Sequence, residues 1–139
     1  MDRKASISVV AGVLSNARGE ILIAKRKQHQ DQGGLWEFPG GKREDGESSL
    51  EALKRELAEE LSIEICAAEP YLTQRHEYPA KIVHLEFFRV KTWHGEARGA
   101  EGQDIQWAKI SELGDYEFPA ANKVVVEKLI SLGLQPATL

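Results

Sequence analysis

The 139-residue sequence contains a single cysteine, Cys66, so no disulfide can form within the chain. Cys66 is therefore expected to be a small buried hydrophobe rather than a reactive thiol. No apolar run approaches the ~20 residues that a membrane-spanning helix requires. No block of Lys or Arg stands out, and the formal net charge is −4. A nucleic-acid polymer is accordingly not expected as a partner. The opening stretch "MDRKASISVV" lacks the apolar core of a signal peptide. These absences together predict a cytoplasmic protein with no membrane attachment. Internal repeats, low-complexity tracts and linkers are missing as well. What is present is a globular composition, 42% hydrophobic and 29% charged. It suits one domain over residues 1–139 with one core.

The local patterns predict a mixed α/β fold. "SISVVAGVL" (6–14) and "EILIAKR" (20–26) read as strands around the turn "NARG" (16–19). Residues 27–47 read as a long loop, broken by two Gly-Gly pairs and Pro39. Long ordered loops in compact domains are usually functional. Ser48, with Glu51 three residues on, forms the capping-box pattern that opens a helix. Leu50, Leu53, Leu57 and Leu61 continue it as an apolar stripe. Strands are expected at 81–91 and 104–110. A last helix is expected over 119–132, with Pro119 at its start and Gly133 after its end. Strands on both sides of a helix predict a mixed sheet covered by helices.

One feature of the first helix costs energy. Glu56, Glu59 and Glu60 stand at i, i+3 and i+4, on one helical face beside the leucine stripe. Like charges at that spacing repel by roughly 0.2–0.5 kcal/mol per pair. Alone they would read as a solvated acidic face, relieved by Lys54 and Arg55. A glycine-rich loop precedes them, however, and it lets backbone approach a ligand closely. Carboxylates gathered beside such a loop suit a hard divalent cation, and magnesium typically binds substrate phosphates too. The pair of features points to a metal-assisted reaction at phosphate.

The stretch "GKREDGESSLEALKRELAEELSI" (41–63) resembles the Nudix box. That pattern runs Gly, five residues, Glu, seven residues, then Arg-Glu-aliphatic-any-Glu-Glu-any-Gly-aliphatic. Gly41, Glu47, Arg55, Glu56, Leu57, Glu59, Glu60 and Ile63 fill it, and Ser62 replaces the second glycine. The resemblance implies an α/β/α sandwich with a mixed sheet. It also implies hydrolysis of a nucleoside diphosphate linked to another group. Glu56, Glu59 and Glu60 would bind Mg2+ (or Mn2+) with the Gly40 carbonyl, and Glu47 would be an outer ligand or a support. Arg55 would orient the glutamates. The ions would neutralise phosphate oxygens and acidify water, and a carboxylate would take its proton. Glu56 is favoured as ligand and base, with Glu101 as the competitor.

"LWEFPGGK" (35–42), "EGQ" (101–103) and "FPAAN" (118–122) are similar to the MutT-like branch of that family. This branch hydrolyses 8-oxo-dGTP to the monophosphate and pyrophosphate. Asn122 offers a donor beside an acceptor. It would donate to O6 and accept from N7–H of 8-oxoguanine, while ordinary guanine presents an acceptor at N7. Phe118 belongs to the same substrate-binding stretch. Lys25 resembles a phosphate-contacting position, with Arg26 expected to point to the opposite strand face. Lys81 resembles another basic substrate contact. Tyr78, Phe87 and Phe88 are candidates to flank a base, with core packing favoured for the phenylalanines. His29, His76, His84 and His94 have no metal-ligand spacing and receive no role. A monomer is expected. The alternatives are a Nudix enzyme for CTP or modified dCTP, which "DQGGLWEF" (31–38) also resembles, and a non-catalytic nucleotide sensor.

Overall fold

The computed structural model describes residues 4–27 and 33–134. His29 and the start of the 31–38 stretch lie outside the described residues. The chain runs β1 (Ala5–Leu14), β2 (Glu20–Lys25), β3 (Trp36–Glu37), β4 (Gly40–Lys42), α1 (Ser49–Leu61), β5 (Glu64–Glu77), β6 (Lys81–His94) and β7 (Ile105–Lys109). A 3-10 helix over Ile110–Asp115 follows, then α2 (Ala120–Leu132). One sheet has the order β4-β1-β6-β5; the other has the order β3-β2-β7. β1 pairs parallel with β6 and antiparallel with β4, so the first sheet is mixed.

β1 shows why helices cover both faces. Its last five residues, Val10–Leu14, are all buried. Successive strand side chains point to opposite faces. Val10 and Leu14 pack with Leu53, Leu57 and Leu61 of α1. Ala11 and Val13 pack with Val125, Val126 and Leu129 of α2. β6 repeats the split: Leu85 and Phe87 join the α2 side, Phe88 and Val90 the α1 side. The two phenylalanines are thus core residues, as expected.

α1 begins as its sequence predicts. Glu51 N–H donates to Ser48 Oγ at 3.1 Å, and Ser48 N–H donates to Glu51 Oε1 at 2.8 Å. Ser62 ends the helix in the left-handed region, at φ 59°. Leu50 departs from the predicted stripe and is exposed. Helical side chains lean toward the N-terminus, so a first-turn residue projects past the helix start, with no turn behind it.

Two further expectations need correction. β5 was not predicted. It is an edge strand containing Pro70, with register shifts at Ile65/Ala67, Ala67/Ala68 and Pro70/Leu72. Each bulge breaks the period-two signal, and proline is tolerated at an edge. Cys66 lies in this bulged stretch and is exposed, not buried. Ile65 fills the core beside α1, and the next side chain turns away from it.

α2 is tied down at its far end. The Tyr71 hydroxyl donates to Gly133 O at 3.0 Å and Lys128 Nζ to Tyr71 O at 2.7 Å. Its first turn carries Ala121 and Asn122, which line the main cavity.

Candidate active site

The main cavity has a volume of about 490 Å3 and two unlike ends. Glu37, Glu56, Glu60 and Glu101 line one end. Val9, Val83, Leu85 and Ala121 line the other, with Asn122 beside them. A smaller cavity of about 120 Å3 shares Glu37, Glu60 and Glu101, and adds Lys25, Lys27 and Gln103.

Arg55 organises the acidic end. Its guanidinium meets Glu47 at 2.6 Å and 2.9 Å, Glu56 Oε1 at 2.9 Å, and Lys42 O at 3.0 Å. Glu59 stands 3.6 Å away and is half exposed. A planar five-donor fork is suited to hold several carboxylate oxygens at once. This grip lowers the Glu47 carboxyl to about 2, chiefly through the Arg55 hydrogen bonds and then the Glu44 backbone N–H. It raises the Arg55 guanidinium further above its usual range. Glu56 is backed by β4. A Cβ on Gly41 would lie 2.3 Å from Glu56 Oε2, and one on Gly40 would lie 1.9 Å from Val10 O. At Gly40, against backbone, only glycine fits; at Gly41 a side chain would instead push the Glu56 carboxylate aside.

Glu60 is the unsatisfied member. It falls within the buried arc of α1, not at its edge, with 9% of its surface exposed. Its Oε2 is buried and has no hydrogen-bond partner. Burial is the main reason its carboxyl is pushed up to about 9; the Glu37 and Glu56 charges, a hydrogen bond with Glu56, and the Glu101 charge add to it. Glu37 is raised too, by burial, against the opposing pull of Arg26, whose guanidinium lies 2.6 Å away.

At the other end the buried polar group already has one partner. Asn122 is buried, and its Oδ1 accepts the Phe38 N–H at 3.3 Å. Phe38 stacks on Phe118 at 5.5 Å and meets Phe87 edge-on at 6.1 Å. Tyr78 and Lys81 flank this end, with Lys81 Nζ 5.5 Å from the Tyr78 ring centre.

Comparison with known proteins matches the NUDIX domain family over residues 10–128. The chain belongs to the Nudix family. It is 41% identical over 131 residues to an 8-oxo-dGTP diphosphatase of Haemophilus influenzae, covering 94% of this chain and 96% of that one. It is 38% identical over 126 residues to a CTP pyrophosphohydrolase of Escherichia coli, covering 91% and 93%. Among solved structures, a MutT from a study of Aliivibrio salmonicida and Vibrio cholerae superposes with a TM-score of 0.80. Its identity is 40%, over 91% of this chain and 98% of that one.

Nudix hydrolases generally use divalent metal ions, and the residues here fit one. The donors are carboxylate oxygens, and a buried oxygen lacks any partner. Among the described residues, no three acidic or histidine side chains stand as a finished cage. Glu56 is turned toward Arg55, and Glu47 gives both oxygens to it.

Of the residues expected from the Nudix resemblance, Gly40, Glu56, Glu60, Glu101, Lys81 and Asn122 line the main cavity. Glu47 and Arg55 stand behind it as support. Glu59 points outward, within reach of Arg55. Phe118 is packed in the core behind Phe38. Lys25 lines the smaller cavity, with Nζ 5.9 Å from the Trp36 ring centre. Arg26, expected on the opposite face, lines the main one. β2 ends at Lys25, so Arg26 lies past the strand and strand alternation does not reach it; the main cavity receives Arg26 and not Lys25. Glu37 was missed. Its only sign in the sequence is an isolated carboxylate between Trp36 and Phe38.

Proposed function

We propose that this protein hydrolyses 8-oxo-dGTP to 8-oxo-dGMP and pyrophosphate, as a cytoplasmic monomer using Mg2+, with Mn2+ as a substitute. What carries this reading is the division of one cavity between a carboxylate end and an apolar end that displays an amide. The former suits a cation and phosphates, the latter a base. The relatives named as 8-oxo-dGTP diphosphatases support the same choice.

Each side chain then has a task. The Asn122 oxygen keeps a second lone pair beyond the one given to Phe38, and can accept from N7–H of the oxidised base. Its amide nitrogen donates to O6. Ordinary guanine sets N7 against that oxygen, acceptor against acceptor, and a buried polar group left unpaired is costly. Lys81 and Arg26 bring positive charge to the anionic chain, and Lys25 does so from the neighbouring cavity.

At the other end, Glu56, Glu60 and the Gly40 carbonyl would hold the ion, and Glu59, which points outward toward Arg55, would have to turn inward to join them. When bound, the ion neutralises phosphate charge and acidifies water. Arg55 and Glu47 keep Glu56 aimed. Glu56 takes the proton of the water that attacks phosphorus, with Glu101 as its competitor. Glu101→Gln should therefore retain more kcat than Glu56→Gln.

A second reading, hydrolysis of CTP or a modified dCTP, is favoured by the CTP pyrophosphohydrolase relative. Steady-state kinetics on 8-oxo-dGTP, dGTP, CTP and hydroxymethyl-dCTP separate the two. The highest kcat/KM is expected with 8-oxo-dGTP; a highest value with a cytidine nucleotide would transfer the function to the second reading.

A further inference from the structure

The last turn of an α-helix leaves carbonyls without intrahelical partners. In α1 these carbonyls are met by the segment 98–103. Arg98 N–H donates to Leu61 O at 3.1 Å, and Ala100 N–H donates to Glu60 O at 3.0 Å. Gln103 Nε2 donates to the same Glu60 oxygen at 2.9 Å. The other end of that carboxamide, Oε1, accepts the Glu101 N–H at 3.0 Å. One side chain thus ties together the backbones of two glutamates that line both cavities.

The turn between them is tight. Gly102 N–H donates to Gly99 O at 3.0 Å, and a Cβ on Gly99 would lie 2.1 Å from Gln103 O. Glu101 itself is exposed and sits on a loop. A carboxylate on a loop meets helix carboxylates reproducibly only if its backbone is held. A simple helix cap would need no contact with Glu101; the Oε1 bond supplies one.

We propose that Gln103 is a positioning residue: its carboxamide clamps the Glu101 backbone to that of Glu60, holding the loop carboxylate in register with α1 for a divalent cation. This rests on the metal-assisted reading given above.

The test is Gln103→Ala, with Gln103→Met as a second variant that keeps side-chain length and loses both bonds. Mn2+ binding is titrated on nucleotide-free protein by electron paramagnetic resonance, alongside kcat, KM and Tm. Mn2+ affinity and kcat should each fall about 10–100-fold, the usual cost of losing an outer support of a metal site. KM for 8-oxo-dGTP should stay within about twofold, because the base end is untouched. In a Glu101→Gln background, Gln103→Ala should cost less than about twofold more, because the two residues act as a unit.

A lowered Tm with unchanged Mn2+ affinity and kcat would reduce Gln103 to a helix cap and overturn the proposal. Equal losses in both backgrounds would do the same. So would full Mn2+ affinity and kcat in Glu101→Gln, which would leave the hydrolase reading standing. If the unmodified protein turns over no nucleotide, that reading fails instead, and the Mn2+ titration alone decides on Gln103.

Discussion

The two ends of the cavity are built on opposite principles. The base end is finished: Asn122 has a partner in Phe38, and the aromatic rings behind it are packed. The carboxylate end is unfinished: Glu60 is buried without a partner for Oε2 and lies among Glu37, Glu56 and Glu101. Recognition depends on shape and therefore uses a group that a backbone partner already holds in place. Ion binding depends on a need for charge and therefore uses a group, Glu60, with an oxygen that has no partner. Substitutions at the two ends should move stability in opposite directions while both damage function.

The sharpest test of that contrast is Glu60→Gln, with Glu56→Gln beside it. Each should lower kcat on the order of 10^2–10^3-fold, the scale of losing one preorganised group in a site. Without metal, Glu60→Gln should melt slightly higher than the parent, because a buried unpaired carboxyl and its repulsion are relieved, whereas Glu56→Gln should gain less, because it gives up the charge pairing with Arg55. Near-normal kcat in both variants would remove the acidic end from the chemistry.

Asn122→Ala should act the other way on stability. Phe38 N–H loses its acceptor, so Tm should fall. The oxidised nucleotide should lose about 1–3 kcal/mol of binding if two base-edge bonds are involved. The loss should appear mainly in KM, and the preference for 8-oxo-dGTP over dGTP should collapse. An unchanged preference would leave Asn122 as a helix residue only.

A pH series compares Glu60 with Glu47. Glu60 binds its proton more tightly folded than unfolded, so the folded state holds more protons. The metal-free protein should lose stability as pH rises from 4.5 toward about 9. Glu47 has the opposite sign, with stability present above 4.5 and lost as pH falls toward about 2. Melting curves from pH 2 to 9 should show both limbs. Arg55→Ala should flatten the acidic limb, and Glu60→Gln the alkaline one.

Ser62→Gly is the mildest change. It relieves a left-handed conformation but loses the bond from Arg98 Nε, at 3.2 Å, and adds freedom to the unfolded chain. The net gain should be below about 1 kcal/mol, with kcat unchanged. A lowered Tm would show that the hydroxyl matters more than the backbone.

These contrasts were unequally legible in the sequence. The capping box, the glutamate spacing and the left-handed Ser62 are local, and each is written within a few residues. The burial of Glu60 is not, because nothing in a helical pattern distinguishes a buried glutamate from a solvated one. β5 was hidden by its bulges, and with it the exposure of Cys66. Arg26 and Glu37 depend on where β2 and β3 end, which strand propensity does not specify. The role argued for Gln103 depends on contact between segments 43 residues apart.

The parallel pairing of β1 with β6 also has a kinetic consequence. Ala5 meets Lys81 and Leu14 meets Val90, so the wall of the cavity joins distant parts of the chain. Such pairings form late, since closing a long loop comes before any contact repays it. A nascent chain that has not yet produced β6 presents β1 as an open edge, a template for other strands. The site is thus assembled near the end of synthesis, and a chain cut before residue 81 would be prone to aggregate rather than merely inactive.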